Sequence, residues 1–342
     1  MQLDDVKQAT SKSREDRRLL RAAGIGIAAV ASISAASLLG LASYVSKRIS
    51  RPRRSHRPAN YTFTPWEFGI KYRAFQLSAN DDEFVDVWYL PQDDPVAPCI
   101  LCLTGFASHK AEMLGIGSNL HRDGFAVMLI DFRGSGRSNG DMVTMGHRET
   151  DDARLALEWI ARETPDAQIG VLGYSMGGSV ALVLAATDER VGAVVSDSAF
   201  ATQRSILAHH IKRKTGLWPG PIVAAAGPML QRRHQRRYDD FAPSTLVHQI
   251  SPRPVLQIHS RDDQVVPFEH AEEIWENARQ PKEYWYPEGI GHCGAYFDDR
   301  PGYCNRVSSF FQKAFSNCQS ENTGPANSQR GSEIPAGSHQ SD

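Results

Sequence analysis

An excess of charge of either sign is missing from this chain as a whole. Its 38 Lys and Arg stand against 39 Asp and Glu, a formal net charge of −1, so no global field directs it to nucleic acid. Cysteine is sparse: Cys99, Cys102, Cys293, Cys304 and Cys318 form an odd set without metal-ligand spacing. Cys99 and Cys102 fall in an apolar run, where free thiols pack as ordinary small side chains. Cys293, next to His292, reads either as a loop thiol or as a ligand or nucleophile; a Cys293–Cys304 disulfide stays open, and the redox compartment with it. No histidine pairs with carboxylates at metal spacing and no stretch repeats. The expectation is therefore no metal and no cofactor.

What the 342 residues do contain is enough for one large α/β domain plus appendages. Residues 1–21 are polar and mixed in charge, and residues 22–46 then run for 25 positions without a charge. At ~1.5 Å per helical residue such a run can span a ~30 Å hydrocarbon core with some tilt. Sixteen of its residues are Ala, Ser or Gly, so its hydrophobicity is modest and a surface or signal-like helix is the alternative. Gly24, Ala28, Ser32, Ala36 and Gly40 make a small-residue stripe through which two such helices can pair as a homodimer. Six basic residues precede the run, and six more (Lys47, Arg48, Arg51, Arg53, Arg54, Arg57) follow it in a linker at 47–60. Their density favours the C-terminal side, and so the following domain, as cytoplasmic in a single-pass membrane protein. Arg17-Arg18-Leu19-Leu20 is similar to a twin-arginine export signal, which reverses that orientation.

From Tyr61 to residue 317 the composition is that of a folded domain. Residues 67–77 and 83–90 alternate apolar and polar side chains, which predicts an antiparallel opening hairpin. Apolar strand-length runs at 98–103, 126–131, 168–172, 191–196, 254–259 and 283–286 then take turns with helical patterns at 110–122, 149–163, 176–184, 270–279 and 305–315. That order predicts an α/β fold with a mostly parallel sheet covered on both faces. Residues 200–250 interrupt it with two helices, at 203–214 and 221–233, carrying basic knots; they read as a lid or as a solvated helix surface. Residues 318–342, rich in Ser, Asn, Gln, Gly and Pro, are expected to be a disordered tail.

Between one of those strands and its helix lies Gly173-Tyr174-Ser175-Met176-Gly177. Glycines two before and two after a serine allow a strained corner that pushes its hydroxyl past the sheet edge. A serine hydroxyl needs an adjacent base, usually His, oriented by a carboxylate. Two later loops leave the same end of the sheet: Ser260-Arg261-Asp262-Asp263-Gln264-Val265-Val266-Pro267 and Glu288-Gly289-Ile290-Gly291-His292.

Taken together these motifs resemble the α/β-hydrolase superfamily, in its serine esterase, lipase and peptidase branch, over about residues 61–315. The resemblance implies the order nucleophile, acid, histidine: Ser175, Asp263 and His292. Its acid loop, often H-G-x-x-D-x-x-V-P, maps onto His259 to Pro267 and selects Asp263 over Asp262, with Ser260 in place of the glycine. Asp197, after the preceding strand, is the alternative acid. The implied oxyanion site uses the backbone N–H groups of Met176 and Phe106, with Thr104 where relatives carry histidine. Asp131-Phe132-Arg133-Gly134-Ser135-Gly136-Arg137-Ser138 matches a family loop whose Asp131 and Arg133 anchor neighbouring loops rather than react. The implied activity is hydrolysis of an ester, thioester or amide through an acyl-serine, on a small acyl ester, lipid or peptide. A serine peptidase and a non-catalytic membrane scaffold of the same fold are the alternatives.

Overall fold

Alternation along the strands builds two cores, one on each side of a single sheet. The computed structural model describes residues 35–51 and 63–322. Helix α1 occupies residues 35–50. The domain then runs through β1 (Arg73–Ser78), β2 (Phe84–Leu90), β3 (Cys99–Leu103), α2 (Leu114–Arg122), β4 (Ala126–Asp131), α3 (His147–Glu163), β5 (Ile169–Tyr174), α4 (Met176–Thr187) and β6 (Val191–Asp197). Next come α5 (Gln203–Thr215), α6 (Gly220–His234), α7 (Pro243–Leu246), β7 (Val255–Ile258), α8 (Glu269–Asn277), β8 (Lys282–Trp285), α9 (Ala295–Asp298) and α10 (Arg300–Asn322). The strands form one sheet in the order β1-β2-β4-β3-β5-β6-β7-β8. β1 and β2 pair antiparallel, as β2 does with β4, and every later pairing is parallel.

Period-two side chains divide the burial. Cys99, Leu101 and Leu103 of β3 face a core shared with α3 and α4, whereas Ile100 and Cys102 face the core under α2 and α10. β4 repeats the division with Met128 and Ile130 against Val127 and Leu129. Fully buried strands of this kind read as apolar runs because both faces are covered by helices. The opening strand is shorter than its alternation suggests. Residues 65–68 instead form a single tight turn, because Pro65 cannot donate to a ladder and Thr64 bonds the Glu67 carboxylate through its N–H (2.7 Å) and its hydroxyl (2.6 Å). At the other end α10 continues through Asn322, so the first residues of the expected tail are helical; residues 323–342 lie outside the described ones.

The segment between β6 and β7 does carry two long helices. Thr202 caps α5 by accepting from the Ser205 N–H at 3.0 Å, and Gly216, at φ 68°, ends it in the left-handed region. α5 and α6 form a small third core from Leu207, Ile211, Ile222, Val223, Leu230 and Tyr238. Against it pack Leu38, Leu41, Val45 and Ile49, one stripe of α1.

This docking alters the expectation for the N-terminal run. Among the described residues no helix is long and apolar enough to cross a membrane. Residues 22–34 of the expected span lie outside the described ones, and 35–46 form most of α1, which continues past Ser46 into the expected basic linker. Burial explains the extension. Ala42, Ser46 and Ser50 are fully covered, and small side chains at four-residue spacing let α1 approach the domain closely. Ser50 donates to the Ser46 carbonyl (2.9 Å), meets His234 Nε2 at 2.8 Å, and accepts the Val143 N–H at 2.8 Å through its own carbonyl. Of the small-residue stripe, Ala36 and Gly40 are exposed on α1 and the other three positions are outside the described residues.

Candidate active site

Ser175 is the cap residue between β5 and α4, held at φ 55° and ψ −125°. A positive φ is uncommon for a residue with a side chain and stores strain of order 1–3 kcal/mol. The flanking glycines make this corner possible. A Cβ on Gly173 would stand 2.1 Å from the Gly177 carbonyl oxygen, and one on Gly177 would stand 2.3 Å from that of Leu103. The Ser175 N–H bonds the Asp197 carbonyl at 2.8 Å, which ties the corner to β6.

The three separated loops converge on that hydroxyl. Ser175 Oγ lies 3.0 Å from His292 Nε2, and His292 Nδ1 lies 2.6 Å from Asp263 Oδ2. Asp263 is buried, and its other oxygen accepts the N–H groups of Val265 (2.8 Å) and Val266 (2.9 Å). Burial alone would raise this carboxyl, but the hydrogen bonds from His292 and the two amides outweigh it and hold it below the usual range. An ionised Asp263 obliges Nδ1 of His292 to carry the proton, leaving Nε2 as the acceptor that faces Ser175.

Asp197, the alternative acid, is occupied elsewhere. Its carboxylate accepts Ser198 Oγ (2.9 Å) and Tyr303 OH (3.1 Å), and burial pushes it up to about 6. Cys293 behaves as a packed thiol: burial raises it well above its ordinary value, and its N–H bonds Ser198 Oγ at 3.2 Å. Cys293 and Cys304 are both free, so the disulfide left open by the sequence does not form. No group of His, Cys, Asp and Glu capable of holding a metal occurs among the described residues.

Asp262 has a role that its neighbour's chemistry concealed in the sequence. Its Oδ1 accepts the N–H groups of Gly289 (2.9 Å), Ile290 (3.2 Å) and Gly291 (3.4 Å), the residues leading into His292, and also the Ser260 hydroxyl. Serine at the position where relatives have glycine thus supplies a donor that steers Asp262. These bonds hold the exposed Asp262 carboxyl below its usual range, the Ser260 hydroxyl first among them.

The loop after β3 lies on the opposite side of Ser175. A Cβ on Gly105 would stand 3.4 Å from that of Ser175, so the chain passes in direct contact with the serine. Thr104 is fully buried and its hydroxyl has no partner among the described residues. Phe106 is 37% exposed at the cavity, and Met176, buried, opens α4. As a first-turn residue, Met176 has an N–H without an intrahelical acceptor. The far end of the loop is clamped: Lys110 Nζ reaches Asp131 at 2.7 Å and also Asp86, its N–H bonds Asp131 at 2.6 Å, and Trp88 lies beneath the ammonium. Asp131 also accepts the Arg137 N–H (2.8 Å), while Arg133 pairs with Asp152 and with Glu83 (3.0 Å). Lys110 and Asp86 carry no motif, and only the fold reveals their pairing.

A cavity of about 950 Å³ opens on Ser175 and His292. Phe106, Met145, Phe200, Ile206, Leu207 and Val265 give it apolar walls, and Ile49 and Arg48 of α1 complete it.

This sheet order, strand–serine–helix corner and acid and histidine loops define the α/β-hydrolase fold. A family profile described as alpha/beta hydrolase fold matches residues 98–224. The chain thus has the α/β-hydrolase fold. Among curated proteins it is 30% identical over 190 residues to the uncharacterized protein YqkD of Bacillus subtilis, covering 55% of this chain and 62% of that one. It is 27% identical over 248 residues to the uncharacterized protein YfhR of Escherichia coli K12, covering 70% and 78%. Among solved structures, an esterase of Pyrococcus furiosus superposes with a TM-score of 0.62 at 22% identity, over 78% of this chain and 98% of that one. The α/β-hydrolase GrgF of a Penicillium species gives 0.57 at 23% identity, over 72% and 100%.

Proposed function

We propose that this protein is a membrane-associated serine hydrolase that cleaves a carboxylic ester through an acyl-serine intermediate. The observation that carries this is the unbroken relay from Ser175 through His292 to Asp263, at 3.0 and 2.6 Å. Nε2 of His292 takes the Ser175 proton as Oγ attacks the ester carbonyl, and the ring becomes an imidazolium beside the ionised Asp263. The N–H groups of Met176 and Phe106 stabilise the negative oxygen of the tetrahedral intermediate. Collapse breaks the ester C–O bond, and His292 returns its proton to the departing alkoxide. Water, deprotonated by His292, then attacks the acyl-serine and releases the acid and free Ser175.

The apolar walls at Phe200, Ile206 and Leu207 suit an acyl chain, and a cavity of about 950 Å³ holds a ligand of drug or single-chain lipid size. Purified protein is expected to hydrolyse p-nitrophenyl butyrate at least a hundredfold faster than Ser175→Ala. Equal rates would remove the serine from the chemistry, and amidase activity without esterase activity would make a peptidase the better account.

The membrane role rests on the uncharged run at 22–46, now shortened. From residue 38 onward the run is docked, with Leu38, Leu41 and Val45 packed on the core of α5 and α6, which leaves residues 22–37 for the bilayer. Sixteen residues would reach about 24 Å if helical, at ~1.5 Å each, short of a ~30 Å core. A span this short would bring α1 to the bilayer surface, where the charge of Lys47, Arg53, Arg54 and Arg57 suits anionic headgroups. Protease protection of tags at the two ends tests it. Protection of one tag only fits a span; equal digestion of both in intact vesicles rejects it.

A further inference from the structure

The cavity is polarised in charge as well as in shape. One carboxylate lines it, Glu112, and that group is engaged by Ser108 Oγ at 2.6 Å and by His109. Against it stand two permanent cations, Arg48 from α1 and Lys214 from α5. Neither has an acidic partner or a side-chain hydrogen bond among the described residues, whereas Arg133, Arg148, Arg190, Arg204 and Arg236 are each ion-paired. Both come from outside the sheet-and-helix core, and both are exposed, so their charge is available to a ligand.

Their positions are fixed by packing. Ile49, next to Arg48, packs on the lid core, and Ser50 is held by His234 and the Val143 N–H. His234 is held neutral by burial, its value pushed down to about 4, and the Ser50 hydroxyl is already spent on the Ser46 carbonyl. His234 therefore donates from Nε2 and clips α1 to α6 without adding charge. On α5, Lys214 follows His210 by one turn, and Ile211 beside them is buried in the lid core. His210 also stays neutral, pushed down to about 4 by burial and by the surrounding His209, Lys214 and Arg213. Both imidazoles thus stay uncharged mainly through burial, and the fixed charges among the cavity-lining residues are Arg48, Lys214 and the engaged Glu112.

We infer that the cavity takes a single-chain acyl ester bearing a phosphate group, its chain along Phe200, Ile206 and Leu207 and its phosphate between Arg48 and Lys214. This rests on the serine-hydrolase function proposed above and names the substrate class for that site. Two unpartnered cations match a phosphate dianion, which needs both; a carboxylate would be satisfied by the arginine fork alone. The polarity also orients the ester, with the acyl chain against the apolar wall and the phosphate in the leaving alcohol. Hydrolysis then releases a fatty acid and a phosphorylated alcohol, the ester C–O bond breaking as the water O–H adds across it. α1 is accordingly part of the specificity site and not only a tether.

The test compares a monoacylglycerol with its 3-phosphate, at one acyl chain length, in mixed micelles with the full-length protein. Wild type is expected to favour the phosphate in kcat/KM by at least tenfold, less so as salt is raised. Arg48→Gln and Lys214→Gln are each expected to reduce that ratio by about tenfold, and Arg48→Lys to keep it within threefold of wild type. A structural role for Arg48 would instead lower both substrates together and leave the ratio in place. Preference for the neutral ester, or a ratio within twofold of wild type in both Gln variants, overturns the inference. Hydrolysis of both esters that survives Ser175→Ala would instead overturn the proposed function.

Discussion

Asp262 and Asp263, adjacent in the chain, grip the same histidine loop at two points. Asp263 bonds the His292 ring at 2.6 Å, and Asp262 accepts the backbone N–H groups of Gly289, Ile290 and Gly291 that lead to it. One carboxylate sets the ring's tautomer and the other sets the path of the backbone that carries it. The division makes a pair of substitutions informative. Asp263→Asn removes the charge that stabilises the imidazolium and is expected to lower kcat by about 10³–10⁴-fold. Asp262→Asn keeps an acceptor oxygen while losing charge-assisted bonds, and kcat is expected to fall only about tenfold. Steady-state kinetics on one chromogenic ester checks both; equal losses would put the two residues in one role.

Lys110 presents a different kind of dependence. Only 2% exposed, it is the counter-charge for the buried Asp86 and Asp131 beneath the loop that carries Phe106. Lys110→Met leaves those carboxylates without their cation, and stability is expected to fall by about 3–5 kcal/mol. Urea unfolding checks this. Adding Asp86→Asn to the variant should recover part of the loss, since it removes one of the uncompensated charges.

The clip between α1 and α6 gives stability a pH dependence. His234 is pushed down from its ordinary 6.5 to about 4 by burial first, and by His147, Arg233 and Arg148 around it. Its folded value is thus depressed, so between pH 6.5 and 4 the unfolded chain binds the proton more readily. Stability from this group is complete above pH 6.5 and declines as pH falls toward 4, by about 1–2 kcal/mol at pH 5. His234→Gln, which retains a donor toward Ser50, is expected to unfold with a shallower loss between pH 7 and pH 5. A loss as steep as that of wild type would show that the decline originates elsewhere.

Docking of α1 predicts a local effect as well. Val45 packs against the core shared by α5 and α6, and Val45→Asp would set a charge against that apolar surface. Hydrogen exchange in α5 and α6 is expected to quicken by tenfold or more, with strands β3 to β6 unaffected. Exchange that remains slow throughout would mean that α5 and α6 hold their shape without α1.

The architecture was legible in the sequence wherever a single physical requirement dominated. The glycines at 173 and 177 are demanded by backbone contacts close to 2 Å, and buried strands such as Cys99–Leu103 can only be apolar. Ser175, Asp263 and His292 come together as their order implied, and Asp197 proves to be engaged with Ser198 and Tyr303. What stayed hidden depended on tertiary pairing. Lys110 reads as an ordinary surface lysine until Asp86 and Asp131 are placed around it. The stripe from Leu38 to Ile49 is hidden because the run is uncharged on every face through Ser46, so little amphipathic contrast marks the side that docks. Spacing in the acid loop favours Asp263 over Asp262, yet it carries no information about backbone N–H groups 27 residues away.

The central claim, that Ser175 is a nucleophile activated by His292, is tested most directly by intact-protein mass spectrometry after treatment with a fluorophosphonate. Wild type is expected to gain the mass of one phosphonyl group, mapped to the peptide containing Ser175, and Ser175→Ala to gain none. An adduct of equal extent on Ser175→Ala, or no adduct on folded wild type, would contradict it.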